Sequence, residues 1–149
     1  MKPFHQLETK RTFMHQLTKE DAEDFYLLNL DPQVLKYTGD QPFADIAAAE
    51  DFLVNYEQFK KYGVGRMAVV NKSSSLFLGW CGLRYDPGVQ EYDIGFRFLS
   101  RYWSLGFATE TAQACISAGF NELAIDRIVG RARSENIASI KVLEKIGMK

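Results

Sequence analysis

The chain has 149 residues, 46% of them apolar and 25% charged, with a formal net charge of −1. That length can bury a full core as one domain spanning residues 1–149, and the balanced charge excludes a global field that would gather nucleic acid. No window approaches 18 uninterrupted apolar residues, which excludes a membrane-spanning helix.

Taken in order, Met1-Lys2-Pro3-Phe4-His5 lacks the apolar run of a signal peptide, which points to the cytoplasm. Thr12 to Leu17 reads as an opening strand. Thr18 reads as an N-cap, with Glu20 and Asp21 in the first turn and Ala22, Phe25, Tyr26 and Leu30 at helical spacing. Asp31-Pro32 starts a short second helix, because proline is tolerated at the first helical position. Thr38 to Pro42 is a loop. From Asp45 a longer helix carries Ala49, Phe52, Leu53, Tyr56 and Phe59 and stops at Gly63.

Arg66 to Asn71 and Leu76 to Tyr85 read as strands around the turn Lys72-Ser73-Ser74-Ser75. Asp86-Pro87-Gly88 turns the chain into a third strand, Glu91 to Leu99, and short turns make these three an antiparallel meander. A helix follows from about Ala108, with Ala112, Cys115, Ile116, Gly119, Phe120 and Leu123 on one face. Asp126 to Arg133 reads as a strand reached through that helix, hence parallel to the third strand. Asn136 to Ile146 is a last helix, stopped by Gly147. The order predicts an α+β fold whose sheet is mixed, mostly antiparallel, with one parallel pair and flanking helices. Cys81 and Cys115 fall in apolar patterns and read as reduced core residues rather than a disulfide framework or a nucleophile, for the two histidines, His5 and His15, are distant.

The stretch Ser100 to Glu110 carries the chemistry. A strand feeding a loop and then a helix N-terminus leaves backbone N–H groups unpaired and aimed at one place, which favours a phosphate. Gly106 and Ala108 leave room for an oxygen to approach those nitrogens. The glycines do not form Gly-x-Gly-x-x-Gly, which excludes a nicotinamide fingerprint, and no P-loop pattern is present.

The segment Glu91-Tyr92-Asp93-Ile94-Gly95-Phe96-Arg97-Phe98, with Trp103-Ser104-Leu105-Gly106-Phe107-Ala108-Thr109-Glu110 after it, resembles the central motif of the GCN5-related N-acetyltransferases (GNAT). That motif is Gln/Arg-x-x-Gly-x-Gly/Ala. Gly106 and Ala108 match its last two positions, whereas Trp103 replaces the Gln/Arg. The flanking Tyr-Trp and Ala-Thr-Glu resemble the ribosomal-protein N-terminal acetyltransferase branch, in which glycine often stands where Ser104 does. The resemblance implies acetyl-CoA as acetyl donor, its pyrophosphate on Ser104, Leu105, Gly106, Phe107, Ala108 and Thr109. It also implies a parallel central pair that splays apart, with the pantetheine arm along the main chain of Phe96, Arg97, Phe98 and Leu99. The side chains of Phe96 and Phe98 read as core.

Glu91 and Asp93 share one face of a strand and are the acid–base candidates, acting through a water; a solvated face or a structural ion pair is the alternative. Residues 134–147 resemble the family's C-terminal motif, with Asn136 at the position that contacts pantetheine and also placed to cap the helix. Leu143 stands where many members carry a proton-donating tyrosine, leaving Ser139 or a water as donor. The family continues past Gly147-Met148 into two further strands, so these C-terminal strands are expected to be missing from the present chain. An uncovered sheet edge there would invite a partner, such as a second copy in a homodimer. The implied activity is acetyl transfer to a primary amine, foremost a protein N-terminal α-amine. The alternatives are a small-molecule amine as acceptor and a non-catalytic acyl-CoA-binding module.

Overall fold

The computed structural model describes residues 6–132 and 134–148. His5, Arg133 and Lys149 lie outside the described residues. Six strands form one sheet in the order β1-β2-β3-β4-β5-β6. They are β1 (Gln6–Glu8), β2 (Thr12–Gln16), β3 (Arg66–Asn71), β4 (Phe77–Asp86), β5 (Glu91–Phe98) and β6 (Ile128–Gly130). All neighbours run antiparallel except β5 and β6, which are parallel, as the helical crossover requires. The expected α+β architecture with its parallel pair is therefore present.

Among the described residues the six α-helices are α1 (Ala22–Leu28), α2 (Pro32–Leu35), α3 (Ile46–Val54), α4 (Gln58–Tyr62), α5 (Phe107–Asn121) and α6 (Ile137–Lys145). Alternation along the strands separates two cores. Met67, Val69, Cys81, Leu83, Ile94 and Phe98 face α5 and Leu143 of α6. Ala68, Phe77 and Trp80 face the opposite layer, with Phe25, Leu28, Val34, Ala49 and Leu53 of α1, α2 and α3. Cys81 and Cys115 are free thiols buried in the first core, their sulfurs 3.9 Å apart. The contact with Cys81, together with burial, raises the Cys115 pKa, so it behaves as a core residue. No helix among the described residues is long and apolar enough to cross a membrane.

Several boundaries depart from the sequence reading. The helix expected to run unbroken to Gly63 divides into α3 and α4. Asn55 Nδ2 donates to Asp51 O (2.9 Å) at the end of α3, while the Tyr56 hydroxyl accepts from Arg66 N (3.0 Å). That tie to β3 turns Tyr56 out of the helical register. Leu30 lies beyond the end of α1 and is exposed. The strand expected over residues 126–133 pairs only over Ile128–Gly130.

Candidate active site

The junction of β5 and α5 is fixed from both sides. Ser100 donates to Asp31 Oδ2 through its amide (3.1 Å) and its hydroxyl (2.7 Å). Burial pushes the Asp31 carboxyl up, but these bonds and those from Gln33 and Val34 outweigh it, leaving the pKa lowered. Trp103 Nε1 donates to Phe98 O (2.8 Å), folding the loop back on the strand that feeds it. Ser104 (φ 64°) and Gly106 (φ 85°) are both left-handed. Ser104 thus takes the backbone that a glycine would take freely, at some cost in strain.

Beyond Trp103 the backbone donors are open. The amide of Glu110 bonds Gly106 O (3.0 Å) as the first intrahelical donor of α5. The amides of residues 104–109 have no protein acceptor among the described residues. Six consecutive donors without a protein acceptor at the N-terminus of a long helix are an arrangement that suits an anion.

A second chain segment braces this loop. Arg11, in the turn between β1 and β2, donates from Nη1 to Leu105 O (2.9 Å) and from Nε to Glu110 Oε1 (2.7 Å). Its amide and Thr9 Oγ1 both bond Glu110 Oε2, at 2.9 and 2.6 Å. Its guanidinium lies 4.1 Å from the Phe107 ring centroid. Burial raises the Glu110 pKa, yet the bonds from Thr9 and Arg11 prevail and the net shift is downward. Neutralised in this way, the Glu110 carboxylate does not repel an anion at the helix end.

The sheet opens beside the loop. β6 pairs with Tyr92, Asp93 and Ile94 only, so β5 continues from Gly95 to Phe98 with no strand on that side. This edge belongs to the residues whose main chain was expected to meet pantetheine. The Arg97 side chain turns away from it to Asn29 Oδ1 and Asp40 Oδ2 (2.8 Å to Asp40). Asp93 accepts from Arg84 (3.1 Å) with Arg131 at 3.6 Å, and Glu91 contacts Arg131 and, at 3.5 Å, Arg127. A cleft of about 560 Å³ lies on the α3 face of the sheet, lined by Phe43, Phe52, Tyr56, Arg66 and Arg84 among others.

Residues 11–149 match the acetyltransferase (GNAT) domain family. The chain belongs to the GNAT acetyltransferases. An uncharacterized N-acetyltransferase, p20 of Bacillus licheniformis, is 30% identical over 142 residues, 94% of this chain and 80% of its own. A GNAT-family acetyltransferase from Bacillus anthracis has a similar structure, with TM-score 0.82 and 27% identity over 97% of this chain and 83% of that one. Two others share the fold at 16% identity. They are the ribosomal-protein-S5-alanine acetyltransferase of Vibrio fischeri (TM-score 0.80, 95% and 81% covered) and the spermidine N-acetyltransferase of Vibrio cholerae in complex with CoA and spermine (0.75, 92% and 80%).

As a GNAT acetyltransferase the protein uses acetyl-CoA as its acetyl donor. The open amides and the uncovered edge of β5 fit that group, since one suits a diphosphate and the other an extended amide chain. The structure brings residues 96–99 and 104–109 into one continuous run, with Glu91 and Asp93 at the paired end of the same strand. Asn136 caps α6, its Oδ1 accepting from Ser139 N (3.2 Å). No described residue bonds its amide NH2 or the Ser139 hydroxyl. Leu143 is buried in the core. Arg11, Asp31, Arg66 and Trp80 were not read as site residues from the sequence. Arg11 and Asp31 hold a loop some 70–100 positions away, and nothing local marks them.

Proposed function

We propose that this acetyltransferase acts on a protein N-terminal α-amine, which attacks the donor directly within a ternary complex. When bound, acetyl-CoA supplies an acetyl group activated as a thioester. A nitrogen–carbon bond forms, the carbon–sulfur bond breaks, the amine gives up a proton and the departing thiolate gains one. The six open amides of residues 104–109 bind the pyrophosphate, and the main chain of Phe96 to Leu99 takes the pantetheine arm. Asp93, with Glu91 as the alternative, relays the amine proton through a water. Ser139 donates to the thiolate, Leu143 having no proton to give, and Asn136 presents its free NH2 to the arm.

The observation that carries the choice of acceptor is the pairing of Asp93 and Glu91 with guanidinium groups. Their oxygens are already engaged by Arg84, Arg127 and Arg131, which leaves few lone pairs to receive an amine or a bridging water. An α-amine, with a pKa near ~8, is partly neutral at physiological pH and asks for little help, whereas lysine near ~10.4 asks for more. The test compares coenzyme A release with a peptide having a free N-terminus and with the same peptide blocked there but carrying an internal lysine. Release with the free N-terminus alone is expected. Equal or faster release with the blocked peptide would refute the acceptor assignment.

A further inference from the structure

We infer that the amine acceptor carries a carboxylate, received by Arg66 in the cleft beside β5. This rests on the cleft's being the acceptor side of the proposed acetyl transfer. Arg66 of β3 stands opposite Gly82 of β4, which stands opposite Gly95 of β5. Gly95 is the first residue past the point where β5 and β6 part. Two strand spacings of ~4.8 Å therefore put Arg66 roughly 10 Å across the sheet from the opening of the seam.

Arg66 differs from the other arginines near it. Arg84, Arg97 and Arg131 each hold a carboxylate. The Arg66 guanidinium has neither an ion pair nor a hydrogen bond among the described residues. It is held instead by rings, its central carbon 4.5 Å from the Trp80 centroid, 5.4 Å from Phe52 and 5.8 Å from Tyr56. Trp80, only 7% exposed, has a buried indole N–H that also lacks an acceptor. The Arg66 nitrogens, unlike the Trp80 indole, are open to the cleft, where an oxyanion would meet a guanidinium with no other anionic partner among the described residues.

Stacking fixes the plane of a guanidinium and leaves its edge for a bidentate oxyanion. The carboxylates near the cleft do not fill this need. Glu57 is paired with Lys61 at 2.9 Å, Asp51 lines the cleft without an ion pair to Arg66 among the described residues, and Asp40 is engaged by Arg97. A polyamine would bring further positive charge beside this unpaired guanidinium. An acceptor whose carboxylate follows its amine by one or two residues, as in a peptide with an acidic second position, brings that group to the open edge of Arg66.

The experiment titrates three tetrapeptide amides with free N-termini into the coenzyme A complex by calorimetry. They differ only in carrying Glu, Gln or Lys at the second and third positions, and spermidine is a fourth probe. The Glu peptide is expected to bind at least tenfold tighter than the Gln peptide, with the Lys peptide and spermidine weaker still. Arg66→Gln should erase about tenfold to a hundredfold of that preference while leaving coenzyme A affinity unchanged, and Arg66→Lys should keep part of it. Equal binding of the Glu and Gln peptides, tighter binding of spermidine, or a preference that survives in Arg66→Gln overturns the inference. So does absence of binding by every probe while coenzyme A binds. Failure of coenzyme A itself to bind strikes instead at the site assignment beneath it. A thermal melt confirms that each variant is folded.

Discussion

Replacing Gly106 by valine tests the cofactor cradle without knowledge of the acceptor. At φ 85° a β-branched residue is strained by about 1–3 kcal/mol. Space is the smaller difficulty, since an added Cβ would lie 3.3 Å from Arg11 Nη2, the end of a flexible side chain. The variant has two ways out. If the loop holds its shape, the strain appears as lost stability, at roughly 2–4 °C of Tm per kcal/mol for a chain of this size. If the loop relaxes to negative φ, the amides around residue 106 turn out of the cradle. Each charge-assisted contact with a phosphate is worth about 1.5–3 kcal/mol, so losing two weakens coenzyme A binding by about two to four decades at 1.4 kcal/mol per decade. Calorimetric titration of coenzyme A, with circular dichroism melts beside it, reads both effects. Gly106→Ala should move both in the same direction by less. A folded Gly106→Val that binds coenzyme A as the parent does, with an unchanged Tm, would refute the argument from backbone geometry.

Three further outcomes follow from the same geometry. Ser104→Gly should relieve the left-handed strain and raise Tm by a few degrees, about 1 kcal/mol, with coenzyme A affinity equal or slightly better; a fall in Tm counts against the strain. Asp93→Asn should lower the rate of acetyl transfer at least tenfold while leaving coenzyme A affinity unchanged, and an undiminished rate passes the role to Glu91 or to bulk water. Glu110 has a lowered folded pKa, so its ionised form stabilises the protein above the ordinary carboxylate range, and that contribution is lost as pH falls through the folded value. Glu110→Gln should therefore cost roughly 1–2 kcal/mol at pH 7, and melts of the two proteins should converge below about pH 4. A gap that stays constant with pH would mean that the charge is not what holds the turn.

What could be read from the sequence was local. The strands over residues 66–71, 77–86 and 91–98 announced themselves through β-rich runs punctuated by Ser73-Ser74-Ser75 and Asp86-Pro87-Gly88, and their edges fell within one residue of expectation. The loop into α5 was legible because small residues at 106 and 108 sit between a strand pattern and a helical one. Features decided by distant partners were not legible. The break between α3 and α4 depends on Tyr56 meeting Arg66, and the three-residue β1 is too short to carry a pattern. Asn136 was read both as a cap and as a cofactor contact, and its two ends divide in that way, Oδ1 capping the helix and the NH2 left free. The residues around Arg66 escaped notice because aromatic and basic side chains scattered over residues 52, 56, 66 and 80 converge only once the sheet has formed.

The brace from Arg11 to Glu110 has a consequence for the order in which the protein becomes competent. The two residues are 99 positions apart, so the bond closes about two thirds of the chain into a loop, and its closure entropy must be met before any stabilisation returns. The meander of β3, β4 and β5 and the start of α5 form over much shorter separations. The first hairpin can dock on β3 early, but its turn reaches Glu110 only after α5 has been synthesised and folded. A nascent chain that has just completed its central sheet holds the anion loop without its brace, and the capacity to bind the donor tightly is among the last things it acquires.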